Sequence, residues 1–400
     1  MANFRVVEIE NLEDARREIR RVGADEPGIR IMAPKAVFRV IKIEKVRTVA
    51  ANLIKQEMLS KGGECAIVRG AANFSVDESD VLLMGTLEQY RRLISKLKMQ
   101  AFGLPALAEE LQRVLNNMEK RPSYILDCRG YRLPIGQRTL VMGILNVTPD
   151  SFSDGGKFFD PGRAVEHAHR MVEEGADIID VGAESTRPGH TPVPAEEEQA
   201  RLLPVLRRLV RELKVPISVD TYKASTARLA LEEGAHIIND QWSFRADPEM
   251  AAVCAKYGVP VVLMHNRHDT NYRNLMEEIL AFLAESIRIG VEAGISREKI
   301  IVDPGIGFGK TYEQNLEVLK SLKELKTLGQ PILLGTSRKS VIGKTLDLPV
   351  DERMEGTAAT VALGIASGVD IVRVHDVKEM VRVARMSDAI VRYRRQDEEE

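Results

Sequence analysis

Residues 139–156 read TLVMGILNVTPDSFSDGG, an apolar run that ends on Asn146 and opens into a loop of Thr, Pro, Asp, Ser and Gly. A near-continuous apolar run of this length fits a strand buried on both faces, as in a parallel sheet. Seven more runs of the same kind follow: DIIDVGAES (177–185), PISVD (216–220), HIINDQ (236–241), PVVLMH (260–265), KIIVDP (299–304), PILLGT (331–336) and IVRVHD (371–376). Each precedes a helical stretch, and five of those stretches stop at Gly175, Gly234, Gly258, Gly294 and Gly368, where a helix C-terminus favours glycine. Short strands alternating with longer helices are the pattern of βαβ units, and eight such units in about 255 residues match a closed TIM (β/α)8 barrel. A doubly wound sheet, the alternative α/β arrangement, has no reason to stop at eight.

The 400-residue chain is longer than such a barrel needs. YILDCRGYRLPIGQR (124–138) alternates apolar and polar residues around Gly130 and Pro134 and reads as a hairpin closing the barrel bottom. Residues 1–120 have another texture. FRVVEIE (4–10), AVFRVIKIEKV (36–46), ECAIVRG (64–70) and DVLLMG (80–85) read as strands. Residues 11–21, 47–59, 87–98 and 105–120 read as amphipathic helices. The expected organisation is therefore a small α+β domain over 1–120 with no chemical motif, a barrel with its hairpin over 121–395, and an acidic tail, QDEEE, over 396–400.

Apolar residues make up 44% and charged residues 29%, the balance of a soluble globular chain with a large core. A net charge of -2 gives no basic footprint for nucleic acid. Cys65, Cys128 and Cys254 are scattered and form no CxxC, which argues against a disulfide framework or a zinc site. With no signal-peptide pattern and no apolar run long enough to span a bilayer, a cytoplasmic protein without a membrane partner is expected.

In a parallel barrel the chemistry collects at the C-terminal strand ends. Those ends carry Asn146, Asp180, Asp220, Asn239, Asp240, His265, Asp303, Arg373 and His375, with Ser337, Arg338 and Lys339 just past the seventh strand. Any one of them could be a helix cap or a satisfied strand-end group. A polar residue near the end of nearly every strand points instead to one shared mouth. Period two puts Ile371, Arg373 and His375 on one face, so a guanidinium and an imidazole point together into that mouth. Two readings follow: an anion pocket supplied also by Arg338 and the GTSRKS amides, or an arginine bridging the acidic strand ends. DPGIGFGKT (303–311) is not a Walker A loop, because Pro304 stands where GxxxxGK needs glycine. Its glycines suit a tight turn against which a flat ligand can lie. His167 and His169, at i and i+2 on a helix, are not a metal pair, and strand one lacks the HxH of metal-dependent hydrolase barrels.

The ordered set GILNVTPDSFSDGGKF, GAESTRPG, SVDT, IIND, LMHN, DPGIGFGKT, GTSRKS and RVHDV resembles the dihydropteroate synthase family over roughly residues 122–394. That resemblance implies a transferase of folate biosynthesis. It would join 4-aminobenzoate to (7,8-dihydropterin-6-yl)methyl diphosphate in an SN1-like displacement, giving 7,8-dihydropteroate and diphosphate. It implies a pterin site of Asp220, Asn239, Asp303, Lys339, Met264 and Phe308, and a diphosphate site of Arg373, His375 and Thr186. It further implies an aminobenzoate pocket of Thr186, Pro188, Phe308 and Ser337, with Asp154 and Arg187 on two catalytic loops beside Lys339. Mg2+ met by Asn146, a homodimer through the helices after strands six to eight, and a place among sulfonamide targets belong to the same expectation. The loop after His265, NRHDTNYRN, departs from the family's usual Met and Gly-Thr-Pro pattern. A methyltetrahydrofolate-corrinoid methyltransferase, the rival pterin barrel, has no need of Lys339, Arg373 and His375. A catalytically idle pterin-binding protein is the second alternative.

Overall fold

The computed structural model describes residues 3–120, 122–148, 160–184 and 192–393. The chain divides into two compact units, Met1–Lys120 and Arg121–Glu400. In the first, strands β1 (Phe38–Arg47), β2 (Glu64–Ile67) and β3 (Glu78–Thr86) form an antiparallel sheet ordered β1-β3-β2. Helices Thr48–Ser60, Leu87–Leu97 and Leu104–Glu119 supply its core, in which Ile54, Met58, Leu83, Tyr90 and Leu93 are buried.

One expectation fails in this unit, and one helix goes unread. FRVVEIE is not a strand; Phe4 and Val6 are 95% exposed, and alternation without a neighbouring strand to satisfy the backbone does not make a sheet. Glu26–Ala36, unread from the sequence, is a helix despite Pro27, Gly28 and Pro34. Pro27 sits in the first turn, where its missing N–H costs nothing, and the Asp25 side chain accepts from Gly28 N.

The second unit opens with the hairpin β4 (Tyr124–Cys128) and β5 (Tyr131–Ile135). Eight parallel strands follow: β6 (Leu140–Asn146), β7 (Ile178–Gly182), β8 (Ile217–Asp220), β9 (Ile237–Asp240), β10 (Val261–Met264), β11 (Ile300–Asp303), β12 (Leu333–Leu334) and β13 (Ile371–Val374). They pair in the order β11-β10-β9-β8-β7-β6-β13-β12, and a parallel bridge between Val302 and Ile332 joins the two ends. The fold is a TIM barrel preceded by a small α+β domain. All five glycines read as helix stops take positive φ.

Strand parity sorts the barrel side chains. Leu140, Met142, Ile178, Ile237, Val262, Ile301, Leu333 and Ile371 fill the lower interior and meet Leu126, Cys128, Leu133 and Ile135 of the hairpin, which plugs the bottom. Burying each aliphatic side chain contributes roughly 1.5–3 kcal/mol of transfer free energy. This packed floor fixes the strands whose upper ends carry the polar residues.

Candidate active site

One step up the same interior face, apolar residues give way to Asp180, Ser218, Asn239, Met264, Asp303 and Arg373. Asp180 pairs in register with Ser218 across β7 and β8, and Arg373 lies two residues above Ile371. Arg373 Nε donates to Asp180 Oδ2 at 2.6 Å and its Nη2 donates to Asp220 Oδ2 at 2.9 Å. Asn239 Nδ2 donates to the same Asp180 oxygen at 3.1 Å, and the Gln241 amide donates to Asp220 Oδ1. The bridging arrangement read as the alternative for Arg373 is thus present, and it holds the guanidinium at the mouth. Asp180 is fully buried, and among the described residues neither its Oδ1 nor Ser218 Oγ has a partner.

Burial pushes the Asp220 carboxyl up to about 7; Arg373 opposes that shift and the Asp180 charge adds to it. Burial likewise raises Asp303 to about 6, against the pull of the Gly305 N–H and of Lys339, Lys310 and Arg373. The Asp303 Oδ1 accepts from Gly305 N at 2.7 Å. Lys339 lies before the helix Ser340–Leu346 and sets its Nζ 4.1 Å from the centroid of the Phe308 ring, a cation–π contact. His375 meets Ser337, whose Oγ lies 3.0 Å from Nδ1 and accepts from the His375 backbone N at 3.1 Å. Burial first, then Arg373 and Arg338, lower His375 to about 3, so the imidazole is neutral at pH 7.

The structure therefore gathers Asp220, Asn239, Asp303, Arg373 and Met264 on the barrel's inner face, with Lys339, Phe308, Ser337, His375 and Asn146 at its rim. Asp154, Thr186, Arg187 and Pro188 lie outside the described residues. Arg338 does not join the anion pocket, because its Nε and Nη2 bind the Asp376 carboxylate at 3.1 and 2.5 Å. Asp376 sits on the opposite parity from His375 and draws the guanidinium outward. Asp240 and His265 also point away from the mouth; Asp240 accepts from Trp242 N and Phe244 N, a local turn cap. Asp180 and Gln241 were given no role from sequence, although the parity that selects Asp220 and Asn239 selects them as well.

The side chain of Asn146 lies beside Gly182. Its Oδ1 and the Asp220 Oδ2 lie 3.8 and 3.7 Å from the position a Cβ on Gly182 would take, so the missing side chain leaves room between two hard oxygen donors.

A carboxylate and amide edge beside a guanidinium and an imidazole, within a (β/α)8 barrel, suits a flat heterocycle that carries an anionic tail. The family model described as pterin binding enzyme matches residues 142–375, which makes this a barrel of the pterin-binding class. The dihydropteroate synthase of Clostridium beijerinckii is 59% identical over 259 residues, 64% of this chain and 96% of that protein. A crystal structure of dihydropteroate synthase from Clostridium difficile in the presence of pteroic acid is 56% identical with a TM-score of 0.64, covering 65% of this chain and 100% of the other. A probable bifunctional folylpolyglutamate synthase/dihydropteroate synthase of Halobacterium salinarum is 42% identical over 393 residues, which are 96% of this chain and 47% of that protein. The chain belongs to the dihydropteroate synthase family and is a transferase. At 96% of this chain, the halobacterial match takes in most of residues 1–120, so the small domain is shared with that relative.

Proposed function

We propose that the chain condenses 4-aminobenzoate with (7,8-dihydropterin-6-yl)methyl diphosphate, releasing diphosphate and forming 7,8-dihydropteroate in folate biosynthesis. The observation that carries the reading is that Asp220, Asn239 and Asp303 share the barrel's inner face with Arg373, whose guanidinium donates to Asp220, with His375 at the rim. The edge matches the ring N–H and exocyclic amine of a pterin, with Lys339 reaching the ring oxygen and Met264 and Phe308 covering its faces. Arg373, His375 and Thr186 take the diphosphate.

Each residue's work follows from its state. The ionised Asp303 accepts from the pterin and orients the exocyclic carbon toward the rim. Arg373, held by Asp180 and Asp220, is preorganised to meet charge as the C–O bond breaks and the electrons pass to diphosphate. The carbon left cationic is stabilised by the pterin ring, and the arylamine nitrogen attacks it and then loses a proton. No protein nucleophile is required. Asn146 would hold Mg2+, which when bound supplies positive charge to the diphosphate oxygens. Thr186, Pro188, Phe308 and Ser337 form the aminobenzoate pocket, where a sulfonamide competes, and Asp154 and Arg187 act from the loops that follow the first two barrel strands.

We assign a homodimer to the face of helices Met354–Ser367 and Val377–Val391, where Leu363, Met386 and Ile390 are 68%, 62% and 65% exposed. A cytoplasmic setting suits three buried free thiols. No helix among the described residues is long and apolar enough to cross a membrane.

The reading is tested by diphosphate release from the purified protein with Mg2+ and the dihydropterin diphosphate, with and without 4-aminobenzoate. Release that requires aminobenzoate, yields dihydropteroate and collapses in Lys339→Ala and Asp303→Ala is expected. Pterin binding without turnover would sink it.

A further inference from the structure

We propose that Lys310 is a positioning residue for this reaction, its buried ammonium tying the turn that carries Asp303 and Phe308 to His265 at the end of the neighbouring strand. The inference rests on the reading above and concerns a residue outside the sites assigned there.

Lys310 Nζ lies 2.9 Å from Gly305 O, 3.0 Å from Phe308 O and 2.9 Å from His265 Nδ1. Protonated, the amine has three N–H donors, and here each has one acceptor; burial lowers Lys310 to about 7, against the pull of Asp303, so this form is complete below that pH. Two acceptors belong to the turn after β11 and the third to the segment after β10, so one charge spans both. His265 is suited to accept. It is 2% exposed, its ring packs edge-on against Phe282 at 4.8 Å, and its backbone N donates to Asp303 O at 2.9 Å. Burial, Lys310 and Arg267 lower it to about 2, so the ring stays neutral and keeps a lone pair at Nδ1.

The turn needs such a hold. Gly305, Gly307 and Gly309 all take positive φ, and glycine-rich backbone has little conformational preference of its own. At Gly305 the approach is closest: a Cβ there would stand 2.0 Å from His265 O. The turn sets two substrate contacts at once, since Gly305 N fixes Asp303 Oδ1 and Phe308 presents its ring beside Lys339. Without the ammonium, two carbonyls and an imidazole nitrogen lose their donor, and both contacts shift together.

The test is steady-state kinetics and thermal melting of Lys310→Met, which keeps an unbranched chain and removes all three donors. The KM for both substrates should rise about tenfold or more, the scale of a small misplacement, with kcat at saturation falling less. In Lys310→Ala, added methylammonium should restore part of the lost affinity. His265→Phe keeps the ring packing and removes only one acceptor. It should raise the same two KM values by a smaller factor, and it carries the test should Lys310→Met fail to fold. Unchanged KM values for both substrates in folded variants, with only a lower melting temperature, would overturn the proposal. An inactive wild type would sink the functional reading instead, and calorimetric titration of the dihydropterin diphosphate into wild type and Lys310→Met would still read the role of Lys310.

Discussion

Arg373 Nε lies 2.6 Å from Asp180 Oδ2, and Asp180 is fully buried. Because the same oxygen also accepts from Asn239, Asp180 holds a pterin-edge group and an anion-site group in one geometry. Removing one member of a buried ion pair leaves the other charge uncompensated, typically at a cost of about 3–5 kcal/mol. Asp180→Ala should therefore destabilise the barrel by that order in denaturant unfolding and raise KM for the dihydropterin diphosphate. A variant with wild-type unfolding and kinetics would show the pair to be idle.

The two raised carboxyls make pH act on binding and on stability in opposite senses. Asp303 and Asp220 sit at about 6 and about 7, above an ordinary Asp at 3.8. Pterin N–H donors need the ionised form, so KM for the dihydropterin diphosphate should climb as pH falls below about 7 and steepen below 6. The folded state, by contrast, binds protons that the unfolded chain has released. The contribution of these groups to stability is thus fully present below pH 3.8 and is lost as pH rises through 6 to 7. Asp303→Asn should abolish turnover yet gain about 1–3 kcal/mol of stability at pH 8. Parallel melting and KM profiles against pH, in wild type and variant, check both signs.

The barrel was legible because strands buried on both faces are apolar throughout and bounded by Pro, Gly or a polar end. IVRVHD and HIINDQ overlap β13 and β9 to within two residues at either end. FRVVEIE shows the limit of periodicity, since alternation cannot supply a partner strand. Asp180 stood among the mouth residues without a site role, because one carboxylate inside an apolar run looks like a strand-end cap until three-dimensional closure brings Arg373 against it from a strand 193 residues away. Lys310 stood in a phosphate-loop lookalike whose rejection left the lysine without a role. Its partner, His265, faces out of the barrel, and only the folded turn joins them.

Ser337 links the aminobenzoate and diphosphate sides of the pocket. The Ser337 hydroxyl accepts from the His375 backbone N–H and lies 3.0 Å from Nδ1; where it donates to Nδ1, the neutral ring's proton stands on Nε2 and can meet an anion. Ser337→Ala removes that constraint while sparing Arg373. The variant should raise KM for 4-aminobenzoate and lower kcat roughly tenfold, about the effect of losing one ordinary hydrogen bond, with little change in melting temperature. Nitrogen-15 NMR of the histidine ring in wild type should report the Nε2–H tautomer. A ring protonated on Nδ1 would remove the basis of the prediction.

Magnesium should depend on substrate more than on protein. Asn146 offers one amide oxygen beside the space above Gly182, and among the described residues no group of three His, Cys, Asp or Glu side chains could hold a metal ion. Mg2+ binds by oxygen donors and keeps several waters, commonly meeting one or two protein groups plus phosphate. Calorimetry should therefore register weak binding of Mg2+ alone and much tighter binding once the dihydropterin diphosphate is present. Chelation should stop turnover and added Mg2+ restore it. Asn146→Ala should raise the Mg2+ concentration for half-maximal rate about tenfold, the usual scale for losing one supporting group at a metal site, while leaving KM for 4-aminobenzoate unchanged. Equal Mg2+ dependence in wild type and Asn146→Ala would remove Asn146 from the metal's shell and leave its polar end a feature of the strand alone.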